Sequence, residues 1–239
     1  MKKLWFNGQC SKHFGMMITG SGTYNAPQRD VESISVAGRN GDLICDNGRF
    51  LNIPVSYPAI VFPPFDKNAD AIRSWFSSTV GYKRLEDDYN PDYFRLAQFK
   101  GPINFDVTAL NRAGETTITF DCKPQRFLKT GEMPVTMDTA GVLRNPTLFP
   151  ALPLITVYGT GAGVLAVGNI SVEIKSMEGH ICLDSDTQDA YRVGIGGVLE
   201  NKNGDIKAPE FPVLAAGDNA ISWTGSITKI EITPRWWTL

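Results

Sequence analysis

Phe50-Leu51-Asn52-Ile53-Pro54-Val55-Ser56-Tyr57 decides how the first half of the chain folds. Leu51, Ile53, Val55 and Tyr57 alternate with Asn52, Pro54 and Ser56, and a period of two gives a strand with one buried face. Proline has no N–H to donate to a ladder, so Pro54 places this strand at a sheet edge or a bulge. Just upstream, Leu43-Ile44-Cys45 is followed by Asp46-Asn47-Gly48. Asn-Gly beside an apolar run predicts a hairpin turn at that point.

Working outward, Ile72, Trp75 and Phe76 fall at i, i+3 and i+4. That spacing predicts a short amphipathic helix, capped by Asp66 or Asn68 and running to about Ser77. No other stretch asks for a helix. Beyond it, Tyr82 to Glu86 and Tyr93 to Gln98 flank the polar turn Asp87-Asp88-Tyr89-Asn90-Pro91-Asp92 and read as a long hairpin. Its sides mix aromatic and basic residues. Such a ribbon either reaches a neighbouring subunit, with Tyr82, Arg84, Tyr93 and Arg95 at the oligomer interface, or lies on its own domain. Ile103, Phe105 and Val107, then Ile118, Phe120 and Cys122, alternate with polar residues and supply two more strands.

Lys129-Thr130-Gly131-Glu132-Met133-Pro134 has linker composition, which places a domain boundary there. The expected domains are 1–135 and 136–239. The second is strand and turn throughout. Ile170, Val172 and Ile174 alternate with Ser171, Glu173 and Lys175, and turns at Gly168-Asn169, Glu178-Gly179, Asn203-Gly204 and Gly217-Asp218-Asn219 punctuate it. Short strands between frequent turns predict a sandwich. The fold class is therefore mainly β in two domains, each a β-sandwich, with one α-helix and a long hairpin in the first.

Composition narrows the function. The 239 residues are 42% hydrophobic and 20% charged, which suits packed cores and argues against global disorder. The net charge of −2 lacks the basic footprint that tight nucleic-acid binding needs, although a ring that lets DNA pass would need none. The N-terminal Lys2-Lys3 precedes no apolar stretch long enough for a signal peptide, so synthesis in a cytoplasm is expected. Cys10, Cys45, Cys122 and Cys182 are scattered and read as ordinary thiols. With only His13 and His180 beside them, a zinc site is not expected.

Each motif with a chemical reading has a plainer one. Gly159-x-Gly161-x-Gly163 superficially matches a phosphate-binding loop, but no helix follows it, and a β-turn is the better reading. Asp184, Asp186 and Asp189, like Asp87, Asp88 and Asp92, are of the type that holds calcium or acts as a glycosidase pair. Neither cluster has calcium-loop spacing, and solvated turn residues are the expectation. No nucleophile motif is present, so no catalytic residue, metal ligand or cofactor site is assigned. A hydrolase using Asp184 or Asp186 is the weakest reading. Trp223, Trp236 and Trp237 suit sugar stacking or packing. A terminal Trp236-Trp237 pair is expected to lock the last strand down, which leaves Trp223 as the sugar contact of an alternative, lectin-like adhesion module.

The order of motifs resembles the distal tail proteins (Dit) of phages with long, non-contractile tails and of their prophages. The matching residues are Gly38 to Ile44, Phe50 to Tyr57, Phe120-Asp121-Cys122-Lys123-Pro124-Gln125-Arg126-Phe127-Leu128, Asn145-Pro146-Thr147, Pro153 to Gly159 and Ile181 to Tyr191. At the end come Phe211-Pro212-Val213-Leu214, Gly217-Asp218-Asn219, Trp223-Thr224-Gly225 and Ile230 to Trp237. The resemblance implies a tail-tube-like N-terminal domain that forms a hexameric ring, with a galectin-like sandwich outside it. It implies a baseplate hub at the virion tail tip, as a single ring or back-to-back rings, below the tail tube protein. The ring would hold a tail-tip fibre or lysin-like protein and receptor-binding proteins for host adsorption, and DNA would pass through its lumen without specific binding. No membrane partner is implied.

Overall fold

The computed structural model describes residues 2–22, 24–108 and 112–239. The chain divides into two compact units, one of residues up to Arg126 with Leu239, the other Phe127–Thr238. Residue 135, where composition places a boundary, lies just inside the second unit.

The first unit is an antiparallel sheet with a helix on it. Its strands run in the order Gln9–Cys10, Leu4–Phe6, Lys83–Asp87, Tyr93–Phe99, Ala113–Leu128, Ile53–Val61, Met16–Ile18. Phe105–Thr108 pairs with the Ala113 end of the long strand. Ile53, Val55, Tyr57, Ala59 and Val61 are all buried, which is the expected alternation. Met16–Ile18 covers only Ala59–Val61, so Pro54 sits on a rim with a ladder partner on one side alone.

Phe65–Ser77 is the one α-helix among the described residues. It begins after Pro64 rather than at a side-chain cap: Asp66 lies within the first turn, and Asn68 Nδ2 donates to Phe62 O at 3.0 Å instead. Ser78 Oγ and Thr79 Oγ1 both donate to Trp75 O, satisfying a carbonyl that the ending helix leaves free. The buried Ile72, Trp75 and Phe76 face the sheet, where Phe6, Phe76 and Phe120 form an aromatic knot with centroids 4.9–6.0 Å apart. Burying each such ring contributes roughly 1.5–3 kcal/mol.

The second unit is a sandwich made from two long strands that change partners. Leu154–Val167 pairs with Gly217–Thr233 over residues 154–159 and again over 163–167. Its first half also pairs with Glu178–Asp184, and its second half with Ile170–Ile174. The switch falls on Gly159 to Gly163, where the register shifts. The glycine run is therefore a bulge inside a continuous strand and not the expected β-turn. A Cβ on Gly159 would lie 2.2 Å from Ser226 O, and one on Gly163 would lie 2.8 Å from Thr224 O. Only glycine permits two backbones so close. Ile155, Val157, Leu165, Val167, Val172, Ile181, Leu183, Ile221, Ile230 and Ile232 fill the core between the layers. Among the described residues no helix is long and apolar enough to cross a membrane.

Candidate functional site: an uncovered hairpin and a polar sheet face

Arg29–Ile34 and Leu43–Phe50 pair only with each other. This hairpin differs from the one expected around Asn47-Gly48. Its turn lies between Ile34 and Leu43, and Asn47, Gly48 and Arg49 stand opposite the single residue Asp30 as a bulge. Gly48 has a φ of +71°, and its N–H is held by Asp46 Oδ1 at 2.8 Å, so the Asn-Gly signal serves a bulge here.

Every residue from Val31 to Arg49 is exposed. Ile34 against Leu43 and Glu32 against Cys45 make up one face, while Val31 and Ile44 belong to the other. Ile44 is 61% exposed and Ile34 46%. Apolar side chains in water on both faces, with both outer rims open, are liabilities in an isolated subunit. Arg29 pairs with Asp46, and Arg49 Nε with Asp30 Oδ2 at 2.6 Å, pinning the base of the hairpin.

The hairpin expected either to reach a neighbouring subunit or to lie on its own domain has both its strands in the middle of the first sheet. Lys83–Asp87 and Tyr93–Phe99 pair in register, and Leu4–Phe6 and Ala113–Leu128 flank them. Arg95 is 5% exposed, and burial pulls its guanidinium below the ordinary arginine range. Arg84 stacks over Phe94 at 3.8 Å, and Arg126 over Tyr93 at 5.0 Å. Tyr82 Oη accepts from Asn52 Nδ2 at 2.5 Å. All four named side chains are thus engaged within their own unit.

The sheet face away from the core is a cross-strand polar layer. Asp121 accepts from Asn52, Gln98 and Lys100 at 3.1, 2.9 and 2.7 Å, and Ser56 and Thr119 hydroxyls meet at 2.8 Å. Burial pushes the Asp121 carboxyl up, but its three donors outweigh that and hold it below the usual range.

In the second unit the acidic cluster is not solvated throughout. Asp184 is buried and accepts two hydrogen bonds from Arg235. In the first unit Asp87 is likewise buried and accepts from Tyr57 Oη at 2.8 Å. Local Asp-rich sequence reads as a turn, but long-range partners decided both cases. Trp223 is half-buried against the second core, Trp236 is buried in it, and Trp237 stacks on Phe149 at 4.5 Å. Among the described residues no three His, Cys, Asp or Glu side chains gather as a metal site. Sequence reasoning missed the uncovered 29–50 hairpin. Its signal was Gly38 and Gly41 between the apolar Ile34 and Val36 on one side and Leu43-Ile44 on the other.

A β-unit with one helix and a second β-unit in the same chain is the fold of a solved phage Dit protein. Over its full length the chain matches the crystal structure of SPP1 Dit (gp 19.1), described as a paradigm of the hub adsorption apparatus in phages infecting Gram-positive hosts. The TM-score is 0.77 at 10% identity, with 100% of each chain covered. Chains of the phage p2 baseplate in its activated conformation, with strontium and with calcium, match at TM-scores of 0.51 and 0.50. Each is 8% identical, with 97% of this chain covered and 96% and 97% of theirs. No family model and no curated protein matches the chain.

Proposed function

We propose that this chain is a structural protein of a phage tail tip, a hub whose copies close into a hexameric ring. The ring joins the tail tube to a tip fibre or lysin-like protein and anchors receptor-binding proteins, and DNA passes through its lumen. The observation that carries this reading is the full-length match of both units, in one chain, to SPP1 Dit at a TM-score of 0.77. The uncovered hairpin supports self-assembly, because an open two-stranded ribbon is satisfied by strands or side chains of another subunit.

The polar layer around Asp121 suits a lumen wall. It carries both signs of charge and satisfies its own hydrogen bonds, so a passing polyanion is neither gripped nor strongly repelled. Tyr82, Arg84 and Tyr93 belong in this reading to the inner sheet and its margin. The role is one of joining and holding, without a catalytic step or a cofactor.

Light scattering of the purified chain tests the proposal. A mass six times 26.2 kDa, or twelve times for two stacked rings, is expected. A mass of one chain at every concentration, with tail-tube protein added, is the result that removes it.

A further inference from the structure

The first unit buries a cation that its own carboxylates leave unmatched. Arg95, on the strand Tyr93–Phe99, is 5% exposed. Its guanidinium carries five N–H donors, yet among the described residues it makes one hydrogen bond, from Nη1 to Pro124 O at 3.4 Å, and no ion pair. Burial is the largest influence on it and pulls it below the ordinary arginine range, and the charge of Arg126 acts in the same sense. Of the groups that act the other way, the Cys122 thiol, pushed up to about 12, and the Tyr57 hydroxyl, pushed well above the ordinary phenol value, are uncharged at neutral pH. That leaves the Asp87 carboxylate alone.

Arg95 lines a cavity with Tyr57, Glu86, Asp87, Tyr93 and Arg126 among others. Its volume of about 10 Å³ is the least that takes one water-sized occupant. The carboxylates in its wall are engaged elsewhere: Asp87 by Tyr57 Oη and by the N–H groups of Tyr89 and Asn90, and Glu86 by Arg84. Arg126 donates from Nε and Nη2 to Leu239 O, which leaves Nη1 without a hydrogen bond among the described residues. With Glu86 neutralised by Arg84, two guanidiniums stand against one carboxylate, a surplus of one positive charge.

We infer that this cavity binds a single monatomic anion of the chloride type, held by Arg95 and Arg126. A water molecule satisfies donors but leaves the surplus charge in place, whereas a halide answers both. Oxyanions such as sulfate have no room. The wall draws on the strands Lys83–Asp87, Tyr93–Phe99 and Ala113–Leu128, so a bound ion braces three strands of the first sheet. The site lies within one chain and is independent of ring assembly.

Halide titration of the full chain tests it, with potassium gluconate, too bulky for the cavity, keeping the ionic strength constant. Exchanging gluconate for chloride should raise the melting temperature by roughly 3–5 °C for each tenfold increase above the dissociation constant, and bromide should act likewise. Arg95→Met retains the apolar stem and should melt at one temperature in both salts, with circular dichroism checking its fold. Crystals of the wild-type chain soaked in bromide give a reading that needs no variant: an anomalous peak against the Arg95 guanidinium is expected. A wild-type melting temperature indifferent to the exchange overturns the inference, and bromide in such crystals is then an adventitious ion only. A halide dependence that survives in folded Arg95→Met overturns it as well, as does a soaked crystal whose cavity holds no bromide.

Discussion

Arg235 holds Asp184 with both prongs of its guanidinium, Nη1 to Oδ1 at 2.7 Å and Nη2 to Oδ2 at 2.9 Å. The pair ties the chain's last segment to the end of the strand Glu178–Asp184 within the second unit. Burial pushes the Asp184 carboxyl up, but Arg235 outweighs it, by hydrogen bond and by charge, and holds the group below its ordinary 3.8.

A carboxyl made more acidic by folding contributes stability that is complete above its unfolded value and is lost as pH falls through the folded one. The melting temperature of the wild-type chain is therefore expected to drop as pH falls below the ordinary carboxyl value of 3.8, and Asp184→Asn to show a shallower acid limb. Arg235→Ala at neutral pH leaves the carboxylate buried without its partner and costs roughly 1–3 kcal/mol. Differential scanning calorimetry across pH reads both effects.

Tyr57 and Asp87 form the corresponding device in the first unit. Tyr57 Oη donates to Asp87 Oδ2 at 2.8 Å, while Asp87 Oδ1 accepts from the Tyr89 and Asn90 N–H groups and so shapes the 87–92 turn. Tyr57→Phe leaves the packing in place and removes one donor from a buried carboxylate, at roughly 1–3 kcal/mol in urea unfolding. Burial, then the neighbouring Asp87 charge, pushes the Tyr57 hydroxyl well above the ordinary phenol value. Alkaline difference spectroscopy should show it ionising only after the exposed tyrosines.

Local pattern carried the strands and the helix into view, because a segment with one face in a core must repeat at the period of its backbone. Ile53 to Val61 and Ile72 to Phe76 are legible for that reason. Glycine misled wherever tertiary pairing set its use. Gly48 and the Gly159 to Gly163 run have the composition of turns, yet both sit inside long strands as bulges. The assembly surface was harder still. Aromatic and basic residues at 82–95 have the composition of an exposed ribbon, and only the sheet order reveals that strands flank them on both sides. The 29–50 hairpin is mostly polar and lacks strong alternation; Gly38 and Gly41 mark its turn, and only its missing neighbours show that it is uncovered.

The strand crossing at Gly159 should tolerate no side chain. Its Cβ would approach Ser226 O to 2.2 Å, and both atoms belong to paired backbones that cannot shift separately. Gly159→Ala is expected to destabilise the chain by more than about 2 kcal/mol. Gly204, where an added Cβ meets nothing within 4 Å, is the control. Gly204→Ala should stay within about 0.5 kcal/mol of wild type in the same urea titration.

Cys45 reports on the hairpin without any substitution. Cys10, Cys122 and Cys182 are buried, whereas Cys45 is exposed. Burial drives the Cys122 thiol up to about 12 and raises that of Cys182, so at mildly alkaline pH neither presents a thiolate to reagent. Ellman's reagent should therefore titrate one thiol quickly in the dilute folded chain and all four after denaturation. Concentrating the protein until it assembles should slow that one fast reaction at least tenfold, because the Cys45 face of the hairpin then lies against a neighbour. A rate independent of concentration across the assembly transition would place the Cys45 face outside the subunit contact.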